Sequence, residues 1–412
     1  MPDGPLTGIR VLDFSRVLSG PIAGRNLCDL GAEVIKLEPP EGDLTRFAHP
    51  KVGSMSLYYA QQNTGKRNIS LDLNHPEAAA IVLDMAAHLD VVIENFRPGV
   101  MDRLGIGWNE LSARQPRLVM ASISGYGQTG EWRNRRAYAV VVHAEMGLIE
   151  AGARFRADAA GDPTGGVQVQ EAMSHADVYA GLHLTSAILA ALFQRERTGR
   201  GQWVEVDMAE ALLHANDFTH WDLSSIDVGD HRPAMSPPYT PIIRTGAGPN
   251  VVIAGDPAGL GLLERYCAAM GRLDLLTEPR FAPESRRAHR AELIDLIEQW
   301  TLTFDNLDEL ERVLAAHELP MGVVRSTREA ATSNWAVERG AVVEVDDRQG
   351  GTISIPEAPW RFSDATTGAH GQPAYRGEHN REVLREFLGV DDSTINRWES
   401  VGVLSARVPN LQ

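Results

Sequence analysis

The sequence predicts an α/β fold: a mostly parallel sheet with helices on both faces. Three observations lead there. Over the first 125 residues short apolar runs alternate with helix-like segments, the order that βαβ units require. The segments after those runs read SRVLSG, EPPEGDLTR, NFRPG and SGYGQTG. They are rich in Gly, Pro and polar residues, as a ligand-binding rim beyond the strand ends would be. With 412 residues, 43% of them hydrophobic, the chain has material for two or more compact units.

Ile9 to Phe14 reads as the first strand, and Pro21 suits the first turn of a helix that ends near Gly31. Glu33 to Leu37 is a second strand. Pro76 opens a helix through Ala87, and the strand Asp90 to Glu94 follows. A helix over 109–115 and a strand over 117–122 complete the run. Residues 150–168 read as an extended loop. A long Ala/Leu/Ile-rich helix covers 174–196 and stops at the turn Thr198-Gly199-Arg200-Gly201. A strand and a helix over 203–215 come next. The large domain is therefore expected over 1–215, a proline-rich linker over 216–239, a small domain over 240–335 and a return to the large domain over 336–412. The small domain has helical patterns at 259–269, 290–300 and 306–316, and the C-terminal stretch has two more near 379–388 and 393–400.

Composition excludes several functions. The formal net charge of -16 repels DNA, RNA and anionic membranes, so no nucleic-acid or membrane partner is expected. Two cysteines, Cys28 and Cys267, cannot build a disulfide framework or a CxxC metal site. The first residues show no basic region leading into an apolar run, and no stretch reaches roughly 18 uninterrupted apolar residues. A cytoplasmic location and no transmembrane helix are the expectations.

Motif by motif, the familiar chemistries are missing. SRVLSGPIAG is not the GxGxxG of dinucleotide folds, and a Rossmann-like shape alone does not imply NAD. There is no GxxxxGK[ST], and Ser122 and Ser124 fail the GxSxG spacing. HExxH is absent, and His175, Asp177 and His183 do not share one helix face, so no metal is expected. What remains is a set of loop cations: Arg46, Lys66, Arg67, Arg97, Arg103, Arg135 and Arg136. They suit an anionic ligand such as a phosphorylated cofactor, or simply pair with the abundant acids. Asp177, at the start of an apolar small-residue helix, reads as an N-cap or as a catalytic carboxylate. Trp108, Trp132 and Trp203 read as core residues.

Several segments together resemble the family III CoA-transferases, the CaiB/BaiF family. They are Leu12-Asp13-Phe14 with Ser19-Gly20-Pro21, the run Asp29 to Lys36, Glu38-Pro39-Pro40 with Gly42-Asp43 and Thr45-Arg46, and Asn63 with Lys66-Arg67. Leu71-Asp72-Leu73, Glu94 to Gly99, Arg103-Leu104-Gly105, Ser124 to Gly127, Thr198 to Gln202 and Gly377-Glu378-His379 follow in order. The match is dense in the N-terminal half and sparse at the C-terminus, and 216–335 matches weakly.

The resemblance implies a Rossmann-like large domain built from both chain ends, a smaller α+β domain, and an interlocked, ring-like homodimer. It implies a CoA-transferase that moves CoA from an acyl-CoA to a carboxylic acid through an aspartyl anhydride and an aspartyl-CoA thioester. The nucleophile would be Asp177, four residues before Gly181, with Arg195 near the helix end. Tyr138, Leu18 and Ser19 would lie near it. Val17, Arg46, Arg67, Asn95, Phe96 and Arg103 would line the CoA site, with Arg46 and Arg103 on its phosphates. No metal or prosthetic group is implied; coenzyme A is substrate.

Three departures stand out. The formyl-CoA:oxalate branch has a glutamine where this chain has Leu18. It has an acid where this chain has Ala139. Its multi-glycine loop is reduced to RTGAG at 244–248. These argue against a small oxalate-like acceptor and toward a larger or less polar acyl chain. Two other readings stand beside the transferase. The sister branch of α-methylacyl-CoA racemases uses a His and an Asp, but its histidine aligns with Tyr138, a poor base, and His143 is out of register. A CoA-binding protein without catalysis is the alternative of another class.

Overall fold

In a computed structural model the described residues are 4–224, 226, 237–259 and 261–408. Part of the expected linker, residues 225 and 227–236 with Pro233, lies outside them. The chain forms two compact units. The first comprises 1–146, 171–216 and 333–412; the second comprises 147–170 and 217–332.

The first unit is organised by six strands: β1 (Arg10–Asp13), β2 (Glu33–Glu38), β3 (Arg67–Ser70), β4 (Val91–Glu94), β5 (Val119–Ser124) and β6 (Gln202–Asp207). Their spatial order is β3-β2-β1-β4-β5-β6, and every pairing is parallel. This is the doubly wound order, in which the direction of winding reverses between β1 and β4. Strands β2, β4 and β5 are buried on both faces, which is why they read as largely apolar runs. Both chain ends feed one core. Leu12, Ile35 and Val92 of the sheet share it with Val383, Leu384 and Phe387 of the helix Asn380–Leu388, and with Ile395 and Trp398 of Asp392–Ser400.

Four helices of this unit matter for the site: α1 (Ser19–Asp29), α2 (Ala139–Glu145), α3 (His175–Thr198) and α4 (Met208–Ala215). The 24-residue α3 is long and apolar enough, by length and composition, to cross a membrane. Its apolarity has a use within the fold. Ala176, Ala180, Leu184, Ile188 and Leu192 are buried, and the helix packs on α1, α4, β5 and β6. At its far end the buried Arg195 pairs with Asp90 at 2.8 Å, at the amino end of β4.

The second unit has a three-stranded antiparallel sheet, with Val251–Ile253 between Ile242–Ile243 and Met321–Val323. The helices Leu262–Met270, Arg290–Thr301 and Leu307–Ala316 lie where the apolar period placed them. Their buried residues Tyr266, Ile297, Leu310 and Leu314 close over Ile243, Val251 and Ile253. The loop expected over 150–168 is instead largely the helix Leu148–Ala160, set between left-handed Gly147 and Gly161. Glycine at both ends is what such caps favour.

Trp132 and Trp203 are exposed rather than core residues. The Trp203 indole N–H donates to the Ser122 hydroxyl at 2.9 Å, which fixes the ring at the rim of the sheet.

Candidate active site

In an open parallel sheet the ligand crevice opens beyond the carboxyl ends of the strands, where the winding reverses. Here that point lies between the β1 and β4 loops. A cavity of about 290 Å3 opens there. Arg16, Val17 and Ser19 after β1 line it, as do Asn95, Phe96 and Arg97 after β4, Gly125 after β5, and Arg133, Arg136 and Tyr138. Asp177 of α3 is the single carboxylate in its wall among the described residues.

The β1 loop is held rigidly by buried side chains. Asp13 accepts the Ser15 N–H at 2.9 Å, and Lys36 donates to the Ser15 carbonyl at 2.6 Å. Asn95 clamps Arg16, accepting its N–H and donating to its carbonyl, each at 2.8 Å. Asp43, ion-paired to Lys36 at 3.3 Å, accepts the Val17 N–H at 3.2 Å. Val17 sits at φ 67°, a left-handed conformation that a β-branched residue rarely adopts. Strain of that kind persists where surrounding contacts over-determine it, and it concentrates at ligand sites. On the β4 side Glu94 accepts the Phe96 N–H at 2.7 Å. Burial pushes the Glu94 carboxyl up to about 7.

Asp177 reaches the cavity because α3 and α1 approach to backbone contact. A Cβ on Gly181 would lie 2.5 Å from the Ser19 carbonyl oxygen and 3.0 Å from Ile22 Cβ. Only glycine permits that distance, and Asp177, one turn earlier, is thereby set against the start of α1. The Ser19 hydroxyl and main-chain N–H both hydrogen-bond the Asp177 carboxylate. The hydroxyl also receives the Asn95 amide at 3.2 Å. Burial lifts the Asp177 carboxyl to about 6, while the two bonds from Ser19 pull the other way. Its place in the first turn of α3 also favours the anion. Asp177 is the third residue of that helix and Ser174 is the N-cap, so the carboxylate is not spent on capping.

The charge of the cavity is lopsided. Arg16, Arg97, Arg133, Arg135 and Arg136 face one carboxylate. Arg135 pairs with Glu145, and Arg16 approaches Glu41 at 3.7 Å. The guanidinium groups of Arg97, Arg133 and Arg136 have no hydrogen-bond or ion-pair partner among the described residues.

Of the residues singled out by sequence, Asp177, Ser19, Tyr138, Val17, Asn95 and Phe96 meet in this cavity, with Gly181 behind Asp177. Arg46 and Arg67 do not. Arg46 is held by Glu38 at 2.7 Å and stacks on Tyr59, a buried structural cluster. Arg67 stands at the amino end of β3, the wrong end of the sheet for the crevice, and pairs with Glu33, Glu382 and Glu386. Arg103 is exposed in the short helix Val100–Arg103, five residues beyond the cavity's Pro98. Leu18 and Ala139 are buried and neither lines the cavity, so they give no support to an apolar acyl group. Arg16 and Arg133 were overlooked in sequence, and the buried His143 was weighed there only as a racemase base and set aside as out of register. No motif marks them; the fold alone brings them to Asp177. No group of three or more metal-ligating side chains occurs among the described residues.

Comparison with known proteins matches residues 6–380 to the family described as CoA-transferase family III. The chain is 33% identical to succinyl-CoA–D-citramalate CoA-transferase of Chloroflexus aurantiacus over 98% of this chain and 99% of that protein. It is 34% identical to formyl-CoA:oxalate CoA-transferase of Streptomyces coelicolor, over 97% and 99% of the two chains. Among solved structures it resembles a CAIB/BAIF family protein from Brucella suis, with a TM-score of 0.77 and 29% identity over 93% of this chain and all of that one. Rv3272 from M. tuberculosis gives a TM-score of 0.75 at 30% identity, over 92% and 99%.

Proposed function

This chain belongs to CoA-transferase family III and is a CoA-transferase, and we propose that Asp177 is its nucleophile and that its acids are dicarboxylates. The observation that carries the reading is the lone, serine-held carboxylate in a cavity otherwise lined by arginines.

The chemistry follows from the groups present. The Asp177 carboxylate attacks the thioester carbonyl of an acyl-CoA. Collapse of the tetrahedral adduct expels CoA thiolate and leaves an acyl-aspartyl anhydride. The thiolate then attacks the aspartyl carbonyl, releasing the first acid as its carboxylate and forming an aspartyl-CoA thioester. The incoming carboxylate attacks that thioester and the thiolate returns to the new acyl group, which restores Asp177. No proton is gained or lost overall. Charge moves between oxygen and sulfur throughout, so fixed cations and main-chain N–H groups around the reacting centre stabilise each oxyanion. The nucleophile must be ionised, and at pH 7 a carboxyl with a pKa of about 6 is mostly so.

The cavity is too small for the whole of coenzyme A, and takes the acyl group with the reacting end of pantetheine. Val17, Asn95 and Phe96 shape its wall, and Arg97 with the exposed Arg103 extends positive charge outward for phosphates. Arg133 and Arg136 are left for a second carboxylate on the acid. The two relatives above bear names with citramalate, succinyl and oxalate, which supports that class. No histidine lines the cavity among the described residues, and the carboxylate there has no partner base for the two-base arrangement of a racemase among them. We place the enzyme in the cytoplasm.

The test is trapping with hydroxylamine during incubation with a panel of acyl-CoAs. Hydroxylamine attacks the activated aspartyl carbonyl and leaves a hydroxamate, which peptide mass spectrometry locates. Succinyl-CoA is expected to label Asp177, and butyryl-CoA, of equal length without the distal carboxylate, to label at least about tenfold more slowly. Equal rates would remove the dicarboxylate assignment. Labelling at another residue, or full transfer by Asp177→Ala, would remove the nucleophile.

A further inference from the structure

His143 takes no part in the chemistry above and lies outside the cavity. It is 1% exposed, on α2, and its Nε2 accepts the main-chain N–H of Ala176 at 3.2 Å. Ala176 is the second residue of α3 and immediately precedes Asp177. The first N–H groups of a helix have no partner within it, and an N-cap side chain normally takes one at the second or third position. Ser174, the N-cap of α3, makes no such bond. An imidazole from another helix makes it instead. A nitrogen that accepts carries no proton, so the ring proton sits on Nδ1, and Nδ1 is buried with no hydrogen-bond partner among the described residues. A buried orphan of that kind is costly. The ring is thus oriented for the Ala176 bond at the expense of its other nitrogen.

We infer that His143 is a positioning residue for Asp177: its neutral imidazole caps α3 from outside and fixes the turn from which the nucleophile projects. The inference rests on the reading of Asp177 as nucleophile. It makes the cap sensitive to acid. A protonated imidazole is a donor at both nitrogens, so Nε2–H would face the Ala176 N–H, and the bond would be lost as pH falls. The groups around the ring set where this happens. His175 of α3 stacks obliquely, with ring centroids 5.9 Å apart, and opposes a second positive charge. Glu171, in the segment leading into α3, favours it. The other helix packed against α2 is α4, which carries Glu210 and His214. On α2 itself Glu145 is taken by Arg135. Burial and His175 together hold His143 below the ordinary histidine value, so the cap is intact at neutral pH.

Two variants of the full chain test this, with succinyl-CoA or whichever panel member labels the wild type fastest. In His143→Gln the side-chain carbonyl accepts the Ala176 N–H at every pH. In His143→Leu nothing does. At pH 7.5 the Leu variant is expected to lose about tenfold to a hundredfold in kcat and in the rate of hydroxylamine labelling, because a buried N–H is left unpaired beside the nucleophile. Its KM should stay within about threefold, since CoA is held elsewhere. The Gln variant should keep kcat within about threefold of the wild type. On the acid side, log kcat of the wild type should fall with a slope approaching two, from Asp177 and His143, and that of His143→Gln with a slope of one. A folded Leu variant with the wild-type kcat would overturn the inference. So would a Gln variant as impaired as the Leu one, or one with an unchanged acid slope. Should the Leu variant fail to fold by circular dichroism, the Gln profile decides alone. Failure of the parent reading is seen separately, as label on a residue other than Asp177.

Discussion

At neutral pH the Asp177 carboxylate is ionised in a place that resists ionisation. Burial lifts it to about 6, against the two hydrogen bonds from Ser19 and its place in the first turn of α3. The consequence for stability has a definite sign. A carboxyl whose folded pKa lies above its unfolded value binds its proton more tightly in the folded state. Stability is then lost as pH rises from about 4 to about 6 and stays lost above, an amount on the order of 2 to 3 kcal/mol for a shift of this size. Asp177→Asn removes the charge at nearly constant shape. We expect this variant to be inactive in transfer and to melt a few degrees higher than the wild type at pH 7.5, with the gap closing by pH 4. Thermal melts at the two pH values check it. A variant less stable than the wild type at pH 7.5 would mean that the carboxylate stabilises its surroundings, contrary to its burial.

At the scale of elements, the site depends on one helix contact. Gly181 lets α3 lie on the first turn of α1, so that Ser19 and Asp177 meet. Gly181→Ala adds a Cβ where the Ser19 carbonyl stands 2.5 Å away, and the two helices must separate. Overpacking of this kind costs about 1 to 3 kcal/mol, partly offset by alanine's better helix propensity. The effect on kcat should exceed the effect on stability, at least about tenfold, since the displaced atoms belong to the nucleophile and its donor. Steady-state rates beside denaturant melts separate the two, and unchanged rates would show that the contact does not position Asp177. The same contact explains what the sequence could show. An aspartate four residues before a glycine is visible as a pattern, and so are the apolar strands on either side of the crevice. Strand β3 was harder to see, because Arg67, Asn68 and Ser70 are polar. Asn68 is nonetheless buried, donating to Glu38 at 2.6 Å. The helix Leu148–Ala160 was passed over because Gly152 interrupts its pattern. Arg46 and Arg67 looked like anion ligands because nothing local reveals that distant glutamates already hold them. The reverse holds for Arg133, which the sequence does not single out, and for His143, which it sets aside; their importance arises only when α2 and its preceding loop fold against α3.

For the whole molecule, the pair of chains that the family resemblance implies is a prediction with requirements on charge and surface. A protein with a formal charge of -16 repels copies of itself, so association needs apolar surface to overcome that. Such surface is present: Phe193 on α3 is 66% exposed, and Leu182 and Trp203 are each more than two-fifths exposed. Trp203 lies on β6, the last strand in the sheet order and so an edge, where unpaired main-chain groups invite a partner. We expect a homodimer, twice the 45.0 kDa chain, and we expect the two copies to be interlocked. Those are separable predictions. Two surfaces that merely touch dissociate on dilution with a Kd set by their contact. Two interlocked rings cannot part while both are folded, so their mass stays doubled down to nanomolar concentration and subunits exchange only as fast as a chain opens. Sedimentation across a dilution series, with mixing of tagged and untagged chains, reads both. A 45.0 kDa species at micromolar concentration would remove the dimer altogether. A dimer that falls apart on dilution and exchanges within minutes would keep the pairing and remove the interlock, leaving the exposed face of α3 and β6 as an ordinary reversible interface.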